Sequence, residues 1–117
     1  MKVLVYGASE NPERYAFKAT SLLMKYEHEV VLVGNREGFV LGLPIHKQKQ
    51  FDSVDTVTLY VGPKNQDGLL DYLKILKPKR VIFNPGTENP ILENALSEVG
   101  IYVEEACTLV LLHTGQF

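Results

Sequence analysis

Residue types suited to phosphate binding are concentrated in the segment Gly7–Tyr15, which reads GASENPERY. Gly7 permits a tight turn and a close approach of the backbone to a ligand. Ser9 adds a hydroxyl and Arg14 a guanidinium that matches phosphate geometry. The segment lies between an apolar run and a helical pattern, where helix N–H groups and the helix dipole favour a pyrophosphate. The alternative is a plain strand-to-helix turn capped by Asn11.

A second candidate anion site follows the second apolar run, at Gly34-Asn35-Arg36. Domains that bind NAD carry an acidic residue there for the ribose hydroxyl, whereas a basic residue favours a phosphorylated ribose, as in NADP or coenzyme A. The alternative is a solvent-exposed arginine paired with Glu37. The glycine-rich dinucleotide fingerprint is incomplete, because Ser9 and Pro12 stand where its second and third glycines belong.

Two later turns offer weaker signals. Val61, Gly62 and Pro63 follow the third apolar run, and this small, apolar turn either flanks an adenine ring or simply ends a strand. Asn84 and Gly86, in the sequence NPGT, follow the fourth run and either border the ligand or cap the next helix. Capping is the favoured interpretation of that second turn.

The sequence predicts no catalytic residue and no metal site. His28, His46 and His113 show no metal-ligand spacing with one another or with the lone cysteine, Cys107. No Ser/His/Asp order indicates hydrolysis. A catalytic cysteine would need a base, and His113 is six positions from Cys107 with no sign of contact, so a structural thiol is favoured over a nucleophile. Since one cysteine cannot form an internal disulfide, we expect a reducing, cytoplasmic location.

Hydrophobic periodicity predicts the elements that position these residues. We expect strands at 2–6, 30–33, 56–61, 80–83 and 101–103, and helices at 15–26, 65–76 and 91–99. Asn-Pro pairs at 11–12 and 89–90 indicate two helix starts, a short helix near 46–51 is considered, and residues 107–112 are left unassigned. Apolar strands alternating with helices predict one α/β domain over residues 1–117, a doubly wound, parallel, five-stranded Rossmann-like sheet with helices on both faces. We expect the strand order 3-2-1-4-5, with the ligand at the carboxyl ends of the strands.

Composition limits the class of partner. The 117 residues are 45% apolar and carry a formal net charge of −2, which is typical of one globular domain and provides no global field for nucleic acid or an anionic membrane. The apolar run after Met1 is too short to span a membrane. The apolar segment Leu109–Leu112 is a candidate homodimer or partner surface.

Taken in order, these residues resemble the small stand-alone CoA-binding domain proteins, which are similar to the nucleotide-binding domain of the succinyl-CoA synthetase alpha subunit. The matching pieces are Gly7-Ala8-Ser9, Asn11-Pro12-x-Arg14-Tyr15, Val33-Gly34-Asn35-Arg36, Gly42-Leu43-Pro44-Ile45, Val54-Asp55, Asn84-Pro85-Gly86-Thr87 and Cys107. The resemblance implies that the ligand phosphates lie against Gly7, Ala8, Ser9, Asn11, Arg14 and Tyr15, and the ribose phosphate against Asn35 and Arg36. It also implies that the turn at Val61, Gly62 and Pro63 flanks the adenosine part.

Two departures from that family's pattern concern the second and last loops. No proline follows Asn35, and Ala106 stands where an arginine often precedes the cysteine. The leading hypothesis is a module that binds coenzyme A or an acyl-CoA and has no reaction of its own. The alternatives are an NADP-binding redox enzyme or sensor, and a ligand-free protein-interaction module.

Overall fold

Five of the apolar runs form parallel strands of one sheet in the computed structural model, which describes residues 1–117. These strands are β1 (Lys2–Tyr6), β2 (Glu29–Val33), β5 (Thr56–Leu59), β6 (Arg80–Phe83) and β7 (Tyr102–Glu105). Near-continuous burial of β1, β5 and β6, complete along β5, explains why these runs are apolar at successive positions rather than at alternate ones. The edge strand β7 is only partly buried. The predicted parallel α/β sheet is therefore confirmed.

The sheet has seven strands rather than the five predicted. The additional pair, β3 (Gly38–Val40) and β4 (Leu43–His46), is an antiparallel hairpin within the stretch that the sequence pattern left irregular. Leu41 and Gly42 form its tight turn with φ angles of 51° and 85°, a backbone conformation that suits two-residue hairpins. Because β4 pairs in parallel with the outer edge of β2, this hairpin occupies the position that we expected β5 to take.

The strand order is β3-β4-β2-β1-β5-β6-β7, so the predicted order 3-2-1-4-5 is wrong. Strand β5 pairs with β1, with Val3 opposite Thr56 and Tyr6 opposite Leu59. The central position of β1 remains as expected, since β2 lies on one side of it and β5 on the other.

Helices cover both faces of the sheet, as predicted, but there are four α-helices rather than the three predicted. They are α1 (Tyr15–Lys25) and α4 (Thr108–His113) on one face, and α2 (Leu69–Leu76) and α3 (Pro90–Glu98) on the other. Alternate residues of β1 point into the two cores: Leu4 packs with α2 and α3, and Val3 and Val5 pack with α1. None of the four helices combines the length and the apolar character needed to cross a membrane.

The two Asn-Pro pairs behave differently. Asn89 caps α3 as predicted, because its side-chain oxygen accepts the Leu92 N–H at 3.2 Å. The predicted cap at Asn11 is wrong: its side chain accepts the Glu13 N–H at 3.0 Å within a turn, and Arg14 is the cap residue of α1. The helix itself begins at Tyr15, as its apolar periodicity predicts.

Three further bounds differ from the prediction. Residues Pro63–Asn65 form a 3-10 turn, and α2 begins only at Leu69, after Gly68 in a left-handed conformation. The short helix considered near 46–51 is absent: His46 is the last residue of β4, and residues 47–51 are irregular. The unassigned residues after Cys107 form α4.

Candidate functional site

The main cavity opens at the carboxyl end of β1, where the order in which strands are added to the sheet reverses. Strands β2 and β5 lie on opposite sides of β1. The loops that follow these two strands therefore diverge, and a crevice lies between them. The cavity has a volume of about 720 Å³, within the usual range for small-molecule sites. Its lining residues are Gly7, Ala8, Ser9, Glu10, Asn11, Arg14, Asn35, Arg36, Ile45, Tyr60, Val61, Gly62 and Asn65.

Two smaller cavities extend this one along the carboxyl edge. A cavity of about 220 Å³ shares Gly7, Ser9 and Arg14 with the main cavity and continues to Tyr15 and Gly86. Another, of about 320 Å³, lies towards the end of β2 and is lined by Tyr6, Gly34, Lys47 and Gln48 among others. The structure thus brings the predicted site residues together along one cleft, with the exception of Pro63 and Asn84, which line none of these three cavities.

The β1–α1 loop is held against the end of β2 by backbone contacts. The N–H groups of Gly7 and Ala8 both donate to the Val33 carbonyl, at 2.8 and 2.9 Å. A Cβ atom on Gly34 would lie only 2.7 Å from the Ala8 carbonyl oxygen, so this contact requires glycine. Gly7 has a φ angle of +97°, and a Cβ there would lie 2.9 Å from Val61 Cγ1. These two glycines therefore allow the loops that follow β1, β2 and β5 to pack together at the floor of the cleft.

The electrostatics of the cleft favour an anion. Helix α1 has no acidic residue in its first turn and no side-chain cap, so the N–H groups at its start remain available to a ligand. Arg14 and Arg36 are exposed in the main cavity, and neither forms a salt bridge with a carboxylate. The Ser9 hydroxyl accepts the Asn11 N–H at 3.1 Å and shapes the turn before the helix.

Sequence analysis missed Tyr60, which borders the main and the smaller 220 Å³ cavities. Burial raises the pKa of the Tyr60 phenol to about 12, and the neighbouring Thr58 and Thr108 hydroxyls partly offset this effect. The phenol therefore stays protonated at neutral pH. Its position directly after β5 was a usable signal, since ligand residues of such sheets follow the strands.

Asn84 has a structural role beneath the cleft. Its side-chain NH₂ group donates to Thr58 Oγ1 at 2.7 Å and to the Leu59 carbonyl at 2.8 Å, and its oxygen accepts the Thr108 N–H at 2.8 Å. The Thr58 and Thr108 hydroxyls are themselves 2.8 Å apart. Only 2% of the Asn84 surface is exposed. One amide thus joins β5, β6 and the start of α4.

A second buried amide fixes the neighbouring loops. The Gln66 NH₂ group donates to the Val61 carbonyl at 3.0 Å and to the Thr87 carbonyl at 2.9 Å, and its oxygen accepts a hydrogen bond from Asn89 at 2.8 Å. The turn after β5 and the turn after β6 are therefore held together by a side chain that the sequence pattern placed inside a helix.

The C-terminal apolar segment is mostly used within the chain. Leu111 and Leu112 are buried, and α4 packs against α1, whereas Val110 is 55% exposed. Little of this segment is left as a surface for a partner. Cys107 is half-buried at the residue before α4.

Comparison with known proteins gives a consistent assignment. The model of a protein family described as a CoA binding domain matches residues 1–113. A crystal structure described as an uncharacterized protein superposes with a TM-score of 0.96 and 49% identity, covering 99% of this chain and 97% of that chain. A protein from Thermus thermophilus superposes with a TM-score of 0.88 and 25% identity over 99% and 90% of the two chains. A hypothetical protein from Pyrococcus horikoshii OT3 superposes with a TM-score of 0.86 and 26% identity, covering 97% of this chain and 82% of that chain. A search of curated proteins gave no match.

Proposed function

This chain belongs to the CoA binding domain family, and from that membership we propose that it holds coenzyme A or an acyl-CoA in the cleft around Gly7 and catalyses no reaction itself. The observation that carries this proposal is the pair of exposed guanidiniums, Arg14 and Arg36, which line one cavity without a carboxylate partner. Coenzyme A has two separate anionic centres, its pyrophosphate and its 3′-phosphate. Two arginines on different loops suit such a ligand.

The pyrophosphate is proposed to bind at the β1–α1 loop. The uncapped start of α1 supplies a positive dipole end, and the tight packing at Gly7 and Gly34 brings the backbone close to the ligand. Arg14 stands at the cap position of that helix and adds a full positive charge. The protonated Tyr60 phenol adds a neutral donor at the same cavity.

The 3′-phosphate is proposed to bind at Arg36, on the loop between β2 and β3. Val61 and Gly62, on the opposite wall of the cavity, offer the small apolar surface that an adenine ring needs. The pantetheine arm is then proposed to extend from the pyrophosphate into the smaller cavity bordered by Tyr15 and Gly86. Since NADP also carries a ribose phosphate, the test must separate the two ligands.

The proposal is tested by calorimetric and thermal-shift titration with coenzyme A, dephospho-coenzyme A, acetyl-CoA, NADP and NAD in parallel. A ligand that binds only the folded state raises the melting temperature by mass action. We expect the coenzyme A ligands to bind and Arg36→Glu to weaken coenzyme A by at least about tenfold, the effect of one charge-assisted contact. Dephospho-coenzyme A, which lacks the 3′-phosphate, should lose less affinity.

Lys25→Glu is the matched control, because it makes the same charge change at the far end of α1. This variant should bind coenzyme A and dephospho-coenzyme A with nearly the wild-type affinities. Equal losses for coenzyme A and dephospho-coenzyme A in Arg36→Glu would refute the role of Arg36. Binding of NADP alone, or of none of the five ligands, would refute the proposed function.

A further inference from the structure

One carboxylate, Glu10, lies in a cavity whose other charged lining residues are the two arginines. Its Oε2 atom accepts the Phe39 N–H at 3.1 Å, although the two residues are 29 positions apart in sequence. It forms no salt bridge with either guanidinium. A negative charge in an anion-binding cavity repels the ligand, so its presence calls for a compensating role.

The Phe39 amide is available because of the hairpin register. The two-residue turn at Leu41 and Gly42 makes Val40 and Leu43 the hydrogen-bonded pair that closes the hairpin. Phe39 and Pro44 form the next, non-hydrogen-bonded pair, so the Phe39 N–H points away from β4. The preceding residue, Gly38, leaves the room that Glu10 occupies: a Cβ atom there would lie 2.5 to 2.7 Å from the carbon and oxygens of the carboxylate. The contact between Glu10 and β3 therefore depends on the hairpin register and on the glycine.

Glu10 anchors the C-terminal end of the β2–β3 loop, which carries Arg36. At the near end, Gly34 packs under the carbonyl of Ala8. At the far end, Phe39 is bonded to Glu10. The exposed residues 35–37 are thus held at both ends by the β1–α1 loop.

We propose that Glu10 is a specificity-determining positioning residue, which fixes the β2–β3 loop so that Arg36 is pre-oriented for a second phosphate on the ligand. The inference rests on the proposed function. With the loop fixed, the ligand does not lose free energy in ordering Arg36, and the difference between coenzyme A and dephospho-coenzyme A is largest. Without Glu10, the loop orders only on binding and this selectivity falls.

The test compares Glu10→Ala, Glu10→Gln and Gly38→Ala with the wild type. The first readout is amide hydrogen exchange at Phe39, measured by NMR without ligand. We expect exchange to accelerate by about tenfold or more in Glu10→Ala and in Gly38→Ala. Glu10→Gln keeps a carbonyl acceptor and should keep much of the protection.

The second readout is the ratio of the Kd for dephospho-coenzyme A to the Kd for coenzyme A. This ratio should fall about three- to tenfold in Glu10→Ala. It should not fall in Glu10→Gln, which removes the same negative charge but keeps the acceptor for the Phe39 N–H. A merely structural role would weaken both ligands equally and leave the ratio unchanged.

The outcomes separate this inference from the proposed function. If the wild type binds coenzyme A but Glu10→Ala changes neither the Phe39 exchange nor the ratio, the role of Glu10 is overturned and the proposed function stands. If the wild type binds no coenzyme A ligand, the proposed function fails, and the selectivity inferred for Glu10 fails with it.

Discussion

Replacing Asn84 by alanine separates a structural role for this residue from a ligand-binding one. The substitution removes three side-chain hydrogen bonds, to Thr58, Leu59 and Thr108, at a position that is almost fully buried. Each such bond contributes about 1 kcal/mol net, so we expect a loss of roughly 3 kcal/mol. In a domain of this size that loss lowers the melting temperature by roughly 10–15 °C.

The assay is urea and thermal denaturation of the Asn84→Ala variant together with a coenzyme A titration at a temperature where the variant is folded. Thr58→Val serves as the partner in a double-mutant cycle, because the Thr58 hydroxyl bonds to both Asn84 and Thr108. Residues of one hydrogen-bond network couple, so the two substitutions together should cost about 0.5–3 kcal/mol less than the sum of their separate effects.

The coenzyme A affinity of the folded Asn84→Ala protein should change little, because Asn84 lines none of the three cavities described. The opposite result, an unchanged melting temperature with a large loss of coenzyme A affinity, would refute the structural assignment. It would support the interpretation of the NPGT turn as a ligand contact.

Three further outcomes are expected. Gly34→Ala should cost about 1–3 kcal/mol in urea denaturation, since the new Cβ overpacks against a backbone carbonyl that cannot move freely; an unchanged stability would contradict this packing. Ser9→Ala combined with Arg14→Ala should weaken coenzyme A and dephospho-coenzyme A alike in calorimetry, because both carry the pyrophosphate, and a selective loss of one would contradict the assignment. A hydrogen bond shared with Glu93, and the charge of Glu93, raise the pKa of Glu105. Its proton is therefore bound more tightly in the folded state, so the contribution of Glu105 to stability is present at low pH and is lost as the pH rises through its pKa. The wild-type urea midpoint, compared with that of Glu105→Gln, should therefore fall between about pH 4 and 7, and an unchanged difference would contradict the pairing with Glu93.

The fold was predictable where periodicity carries the information. Runs of buried residues such as Val3–Tyr6 indicate strands covered on both faces, and the stripes between them indicate the helices. The hairpin was missed because its strands are only three and four residues long and contain Gly38 and Pro44, which usually interrupt strands. Its turn uses Leu41 and Gly42 rather than the Asn-Gly pair that signals such turns. The strand order was wrong because periodicity alone does not specify which edge of β1 receives β5.

The candidate site was predictable where position in the fold determines function. Residues that follow β1 and β2 were identified by that rule, and seven of them line the main cavity: Gly7, Ala8, Ser9, Asn11, Arg14, Asn35 and Arg36. Asn84 also follows a strand, yet its amide turns inward, because the hydroxyl of Thr58 and the amide of Thr108 offer partners there. That outcome depends on residues distant in sequence, which no local pattern specifies.

The pairing of β1 with both β2 and β5 determines when the cleft can form during synthesis of the chain. A nascent chain that has emerged only through β4 contains the β1–α1 loop and Arg36, but it lacks the wall formed by Tyr60, Val61 and Gly62. Until β5 arrives, the apolar edge of β1 is unpaired and open to contacts with other chains. A ligand held in this cleft, as proposed, can therefore stabilise only chains in which β5 has already paired with β1.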